Sequence, residues 1–379
     1  NVVIDGPGSD TVFGGAGHDT YLLTPGPDAR AASALDIRRF LLEIADGATI
    51  VDVPPAAEVD VPAVDRVIDA EGDNVLDFSL SAVGIVLDMS LWGGQPQRID
   101  PDEPSSTLAL DGRFTGLYGS LHDDIILGGP LGEDLRGRAG NDTLLGRGGD
   151  DYLSGDAGDD TLVGGEGNDT LDCRREAAGV WVSLAERAAI DGAGHRDTID
   201  VFECVYGGAW DDVLVAARRP AALYGFAGDD VLTGGSQADL LVGGPGADTV
   251  RGGPGADTAR WAVGDGADDL DLGGQPIDTA ALVLTDQDDD VTIESAAGLS
   301  QVFLAGQPVL GIAGAAVIQL DLGAGDDVVD ATAADVAVWA DGGAGDDRFA
   351  GGAGNDRFDG ADGEDTADYA DAPAGIAMA

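Results

Sequence analysis

The sequence predicts an all-β fold, a parallel β-roll in which the chain winds as a β-solenoid with irregular β-rich inserts. Three observations predict it. A nine-residue unit recurs in register many times, and self-similarity at a fixed period marks a stacked repeat architecture. Each unit is a glycine-rich turn followed by a very short run with one apolar residue, which suits a strand whose alternate side chains point to opposite faces. Gly contributes 61 of 379 residues and the hydrophobic fraction is 44%, too apolar for a disordered acidic tail.

The unit is clearest from Gly137, where the chain reads GRAGNDTLL, GRGGDDYLS, GDAGDDTLV and GGEGNDTLD, ending at Asp172. Position 1 is Gly, position 4 Gly, position 6 Asp and position 8 Leu. A second run, from Gly225 to Arg260, reads GFAGDDVLT, GGSQADLLV, GGPGADTVR and GGPGADTAR. A third starts at Gly342 as GGAGDDRFA, GGAGNDRFD and GADGEDTAD, and the N-terminus carries DGPGSDTVF and GGAGHDTYL between Asp5 and Leu22. Two units make one coil of 18 residues, with two parallel sheets back to back. The position-8 residues then form an internal ladder: Val12, Tyr21, Leu144, Leu153, Leu162, Leu171, Leu232, Leu241, Val250, Phe349 and Phe358.

The register survives where the motif fades. AARRPAALY (216–224) keeps Leu223 at position 8 but has Ala221 at position 6, and TIDVFECVY (198–206) keeps Val205. GGPLGEDLR (128–136) keeps Leu135 and offers Glu133 and Asp134 where one Asp is expected. A larger module also recurs: Asp77-Phe78, Asp172-Cys173 and Asp368-Tyr369 are each followed by a Gly seven residues after the Asp, at Gly84, Gly179 and Gly375. The organisation reads as a nonapeptide block at 1–22, an insert at 23–118, blocks at 119–172 and 207–260 separated by an insert at 173–206, a β-rich insert at 261–321, a block at 322–368 and the start of a further module at 369–379. Ala31–Asp46 reads as a short amphipathic helix stopped by Gly47. The chain begins at Asn1 and ends in mid-module, so it reads as a segment of a longer protein.

Charge then becomes the problem the fold must solve. Asp and Glu total 71, of which 11 are Glu, against 19 basic residues, all Arg, for a formal net charge of −52. Stacked turns carrying Asp at one phase repel one another, and a single apolar side chain per nine residues is a thin core against the entropy of ordering them. Asp oxygens are hard ligands that suit Ca²⁺, and bound cations between turns answer both deficits. The charge excludes nucleic acid as a partner, and no apolar run is long enough to span a membrane as a helix. Two cysteines, Cys173 and Cys204, are too few for a disulfide framework.

The repeat G-G-x-G-x-D-x-U-x, with U apolar, is the pattern of calcium-binding β-helices, and the chain resembles the repeats-in-toxin (RTX) family of secreted bacterial proteins. The resemblance implies that each Ca²⁺ lies between a turn and the next but one, held by turn carbonyls and by position-6 carboxylates of both. The candidate ligands are Asp10, Asp19, Asp124, Asp142, Asp151, Asp160, Asp169, Asp212, Asp230, Asp239, Asp248, Asp257, Asp327, Asp347, Asp356 and Asp365. With them go the turn glycines Gly137, Gly140, Gly146, Gly155, Gly164, Gly225, Gly243, Gly252, Gly342 and Gly351. The spacing pairs Asp142 with Asp160, Asp151 with Asp169, Asp212 with Asp230, Asp230 with Asp248 and Asp239 with Asp257; the site that Asp239 would share with Ala221 lacks a carboxylate.

No HExxH and no G-x-S-x-G is present, so neither a zinc-protease nor a lipase-type centre is expected and the segment reads as non-enzymatic. His18 and His122 fall in turns and His195 in a Gly-rich insert. Asp-Asp pairs such as Asp159-Asp160 recur at a fixed phase, which suits ion ligation rather than acid–base chemistry. Trp181, Trp210, Trp261 and Trp339 either fill space around inserts and rims or offer a carbohydrate platform. Two functions are open: a calcium-stiffened structural or adhesive array of a secreted or cell-surface protein, with the cell surface or other modules of the same chain as partners; or the secretion-and-folding module of a type I-secreted enzyme or toxin. Both place the chain outside the cell.

Overall fold

The computed structural model describes residues 65–369, apart from 92, 103–106 and 276, together with short strands at 2–4, 11–13, 20–23 and 49–50. The turn carboxylates Asp10 and Asp19 and the expected helix at 31–46 lie outside the described residues. No helix occurs among those described. The chain forms two compact units, Asn1–Asp172 with Arg187–Phe202, and Cys173–Glu186 with Glu203–Ala379.

In the first unit, strands Thr107–Tyr118, Asp134–Ala139, Tyr152–Ala157 and Thr170–Asp172 pair in parallel on one side of the coil. Strands Val86–Asp88, Ile125–Leu127, Thr143–Gly148, Thr161–Glu166 and Arg196–Asp200 do so on the other. Within the repeats the register is 18 residues: Leu135 sits on Leu153, Leu153 on Leu171, and Leu144 on Leu162. Strand alternation points each of these inward, and Leu117, Leu135, Leu144 and Leu153 are completely buried. Gly84 lies two residues before the strand Val86–Asp88, which pairs with Ile125–Leu127, so the insert supplies one half-coil to the same stack. Another insert returns as an antiparallel pair, Ala188–Ile190 on Arg196–Asp200, before the latter joins Thr161–Glu166 in parallel.

The second unit repeats the plan. Trp181–Ser183, Val213–Val215, Val231–Thr233, Thr249–Arg251 and Asp268–Asp271 stack in parallel, as do Cys204–Tyr206, Ala222–Tyr224, Leu240–Val242, Thr258–Ala262 and Thr279–Val283. The degenerate half-coil at 216–224 holds its register, with Leu223 on Leu241 and both fully buried. Stacking continues through 261–321 to Val317–Asp321, Ala337–Asp341 and Arg357–Asp359. On the opposite side Asp290–Ala296, Leu299–Leu304 and Gln307–Ala313 make an antiparallel meander, which enters the stack by parallel pairing with Asp268–Asp271 at one edge and Val328–Ala333 at the other.

One detail differs from expectation. Phe358 is half-buried rather than inside the ladder; its strand, Arg357–Asp359, is the last described on its side of the coil, and its ring stacks on Phe349 at 5.5 Å between centroids. The tryptophans divide: Trp261 is buried and donates to the Gly266 carbonyl, while Trp210 and Trp339 are exposed. Cys173 and Cys204 are not joined in a disulfide.

Candidate metal centre

The turns bring the position-6 carboxylates into files along each stack. In the described repeats with Asp at position 6, the Oδ1 atom accepts the backbone N–H of the residue one coil earlier. Asp142 N–H donates to Asp160 Oδ1 at 2.7 Å, Asp151 N–H to Asp169 Oδ1 at 3.0 Å, Asp212 N–H to Asp230 Oδ1 at 2.7 Å and Asp230 N–H to Asp248 Oδ1 at 2.8 Å. The same link joins Asp124 to Asp142, Asp239 to Asp257, Asp327 to Asp347 and Asp347 to Asp365. Asp365 itself is exposed.

The second oxygen is different. Oδ2 of Asp142, Asp151, Asp160, Asp230, Asp248, Asp257, Asp327 and Asp347 is buried and has no hydrogen-bond partner. A buried carboxylate oxygen left unsatisfied is costly. Except for that of Asp327, whose turn has Leu322 at position 1, each of these atoms lies over the position-1 glycine of its own turn: a Cβ on Gly137 would collide with Asp142 Oδ2 and come within 2.9 Å of the Gly155 carbonyl oxygen. The same crowding meets a Cβ on Gly146, Gly155, Gly225, Gly243, Gly252 or Gly342 against its own turn's Asp, and on Gly164 and Gly351 against Asp169 and Asp356. Position 1 is glycine because carboxylate and carbonyl oxygens converge there. Gly140, at position 4, has φ +126° and lies against the His122 backbone one coil earlier.

Such oxygens hold their protons tightly. Burial first, then the like charge of stacked neighbours, pushes Asp142 up to about 8. Asp151, Asp230 and Asp248 are pushed up to about 7, and Asp160, Asp257 and Asp327 to about 6, with burial again the largest cause. Carboxylates so placed need a proton or a cation. The donor set, hard carboxylate and carbonyl oxygens in flexible turns, fits Ca²⁺. Among the described residues no three acidic, His or Cys side chains converge on one point, so an ion here relies on one or two carboxylates completed by backbone carbonyls.

Sequence reasoning missed several members. Asp197, Asp268, Asp278 and Asp289 stand in the file although no nonapeptide surrounds them: Asp160 N–H donates to Asp197 Oδ1, Asp248 N–H to Asp268 Oδ1, Asp257 N–H to Asp278 Oδ1 and Asp289 N–H to Asp327 Oδ1. Burial lifts Asp197 to about 7 and Asp268 to about 6. The signal available was a bare D-x-U: DTI, DDL, DTA and DDV. At the variant repeat it is Glu133, buried, that fills position 6, while Asp134 turns out to Arg136 and Tyr118. Position 5 also has a role that its variability hid. Its side chain accepts from the N–H one coil later, as in Asn141 to Asp123, Asp159 to Asn141, Asp229 to Asp211 and Asp346 to Asp326. Adjacent acids in one turn thus tie the coil in opposite directions, position 6 toward the preceding coil and position 5 toward the next.

Parallel coils of 18 residues with files of buried turn carboxylates define a calcium-type nonapeptide β-roll. The RTX calcium-binding nonapeptide repeat matches in four copies, at 1–28, 136–171, 224–259 and 339–367, and the chain carries these repeats. The crystal structure of the extracellular lipase LipA from Serratia marcescens is similar at 18% identity over 51% of this chain, with a TM-score of 0.23. The match spans 38% of that lipase chain. No curated protein matches this chain. Among the described residues no helix is long and apolar enough to cross a membrane.

Proposed function

We propose that the chain is a calcium-folded segment of a larger secreted or cell-surface protein, serving as a stiff structural or adhesive array. The observation that carries this reading is the file of buried Oδ2 atoms without partners beside the position-1 glycines. The residues that would hold Ca²⁺ are the position-6 acids, with the position-1 carbonyls of neighbouring coils. The ion supplies the positive charge that lets ionised carboxylates stack, and so couples binding to folding. The chain's own residues set the register through their Oδ1 links and seal the apolar ladder. The stacked modules and the inserts that join the same sheets favour an array over a single terminal appendage. Such repeats typically belong to secreted proteins, and millimolar extracellular Ca²⁺ suits sites with dissociation constants of about 10⁻⁴–10⁻³ M.

The test is circular dichroism of the full chain across a Ca²⁺ titration from chelator to 10 mM. The expected outcome is a cooperative gain of β-structure; equal β-content at both ends would sink the proposal. Force spectroscopy, showing unfolding forces that rise with Ca²⁺, addresses the stiff-array role separately.

A further inference from the structure

The position-6 acids fall into two classes that the motif does not distinguish. In the first, the position-2 residue has positive φ and Oδ2 has no partner: Arg138 (φ 84°) beneath Asp142, Arg147 (φ 73°) beneath Asp151, Phe226 (φ 75°) beneath Asp230, and Gly253 (φ 88°) beneath Asp257. In the second, position 2 is not at positive φ, and its N–H caps the carboxylate. Ser120 donates to Asp124 Oδ2 at 2.6 Å, Gly129 to Glu133 Oε2 at 3.1 Å, Gly235 to Asp239 Oδ2 at 2.6 Å and Gly352 to Asp356 Oδ2 at 2.9 Å; Gly208 does the same for Asp212. What divides the classes is the residue one coil earlier. Facing the capped acids are Ile85, Thr115, Val180, Ala221 and Val338, none of them acidic. Facing the uncapped ones are Asp124, Glu133, Asp212 and Asp239, and the same holds down each file.

We propose that the position-2 peptide is a two-state element, set by whether the coil before carries a carboxylate, and that it decides which turns of this chain take a divalent cation, with or without a nonapeptide around them. With a carboxylate in the coil before, the position-2 N–H turns away and leaves Oδ2 for Ca²⁺. Without one, the N–H takes the cation's place and the turn closes with no ion. Two turns depart from this: Asp197 faces Asp160, but its position-2 residue, Ala193, is not at positive φ and donates to Asp191; and Asp278 faces Asp257 yet accepts from Gln275 N–H, in a coil lengthened to 21 residues. The inference rests on the calcium reading above, and it separates sites from motif in both directions. The Asp239 turn lies inside a matched repeat and has no ion toward Ala221. The Asp289–Asp327 pair lies outside every matched stretch and holds one: Asp327 Oδ2 has no partner and Gly323 has φ 86°.

Calcium stoichiometry of the full chain, by equilibrium dialysis with CaCl₂ and metal analysis, tests this on the parent, A221D and D289A. A221D, whose new carboxylate would stack on Asp239 and also on Glu203 in the coil before, is expected to bind one or two ions more per chain, and D289A one fewer. Unchanged counts in both, with the parent binding Ca²⁺, overturn the pairing rule and leave the calcium reading standing; a parent that binds no Ca²⁺ overturns that reading instead. Should A221D fail to fold with Asp at a buried position, D289A, at a half-buried one, decides. Amide exchange gives a second readout: the Gly235 N–H is expected to be protected in the parent and to lose protection in calcium-bound A221D.

Discussion

Replacing Asp160 with Asn tests whether the file is an electrostatic liability that Ca²⁺ relieves. Asp160 is 2% exposed, accepts Asp142 N–H through Oδ1 and leaves Oδ2 without a partner. Burial, then the charges of Asp156, Asp159 and Asp191, lifts its carboxyl from 3.8 to about 6. At about 1.4 kcal/mol per pH unit, its ionisation destabilises the metal-free fold by about 3 kcal/mol near pH 7.5. Asn keeps the Oδ1 acceptor and removes the charge, so D160N should stabilise the chelated protein by about that amount. Asp160 also belongs to two stacked pairs, with Asp142 and with Asp197. At a Ca²⁺ concentration tenfold above the dissociation constant each site contributes about 1.4 kcal/mol, so the variant forfeits about 3 kcal/mol of calcium stabilisation. Parent and variant should therefore differ most in chelator and nearly coincide at 10 mM Ca²⁺, with the parent ahead at higher concentration. Urea unfolding in both conditions, with sucrose to hold the chelated state folded, reads the difference. A D160N no more stable than the parent in chelator refutes the reasoning. D160A should fall below D160N by about 1–3 kcal/mol, because Asp142 N–H is left buried and unpaired, and a change at exposed Glu186 should do little.

The remaining predictions use the same stack. Because Asp142, Asp151, Asp230 and Asp248 titrate higher in the folded state than their ordinary 3.8, the metal-free fold binds more protons than the unfolded chain. The stability these groups contribute is present below about pH 4 and lost as pH rises through about 7 to 8; far-UV circular dichroism in chelator should show β-structure returning on acidification, and the Ca²⁺ midpoint should rise as pH falls. Mg²⁺ at equal concentration should fail to replace Ca²⁺ in that titration, since it demands a tight octahedron and keeps its water. Leu144→Ala, between Ile126 and Leu162 in the ladder, should cost about 2–5 kcal/mol in calcium, read by urea unfolding.

What could be read from sequence was what repeats. The 18-residue coil follows from two nine-residue units, and Leu223 could be placed inside without any Asp in its turn because position 8 alone sets the inward face. The roles of neighbouring acids were not legible in the same way. Position 5 varies among Asp, Asn, Ala, Ser, His, Gly and Glu, and its link to the next coil appears only when coils are stacked. Asp197 and Asp289 lack the full nonapeptide because they sit where excursions join the stack, Asp197 on the returning strand of the antiparallel pair at 188–200 and Asp289 at the start of the three-stranded meander at 290–313. Pairing with the coil before, not local motif, puts those carboxylates in the file.

The inserts have a consequence for charge that follows from the same geometry. Gly84 and Gly179 open equivalent half-coils, and each delivers an apolar residue, Ile85 or Val180, to face the first acid of a file, Asp124 or Asp212. Both those acids are capped by the backbone of their own turn. A file of like charges therefore begins on a carboxylate already satisfied by N–H donors, and repulsion accumulates only from the second coil onward, where Asp142 and Asp230 are the first to lack a partner for Oδ2. In a linear stack, stability is a sum of unit and nearest-neighbour terms. The capped coil is then the part of each file able to form without metal, and the coils after it add to its C-terminal side as Ca²⁺ arrives. Metal-dependent order is expected to spread from residues 119–136 and 207–224 toward higher numbers, and amide exchange at substoichiometric Ca²⁺ would show protection at Leu135 before Leu171. Protection arising first at Leu171 would mean that the capped turns do not nucleate.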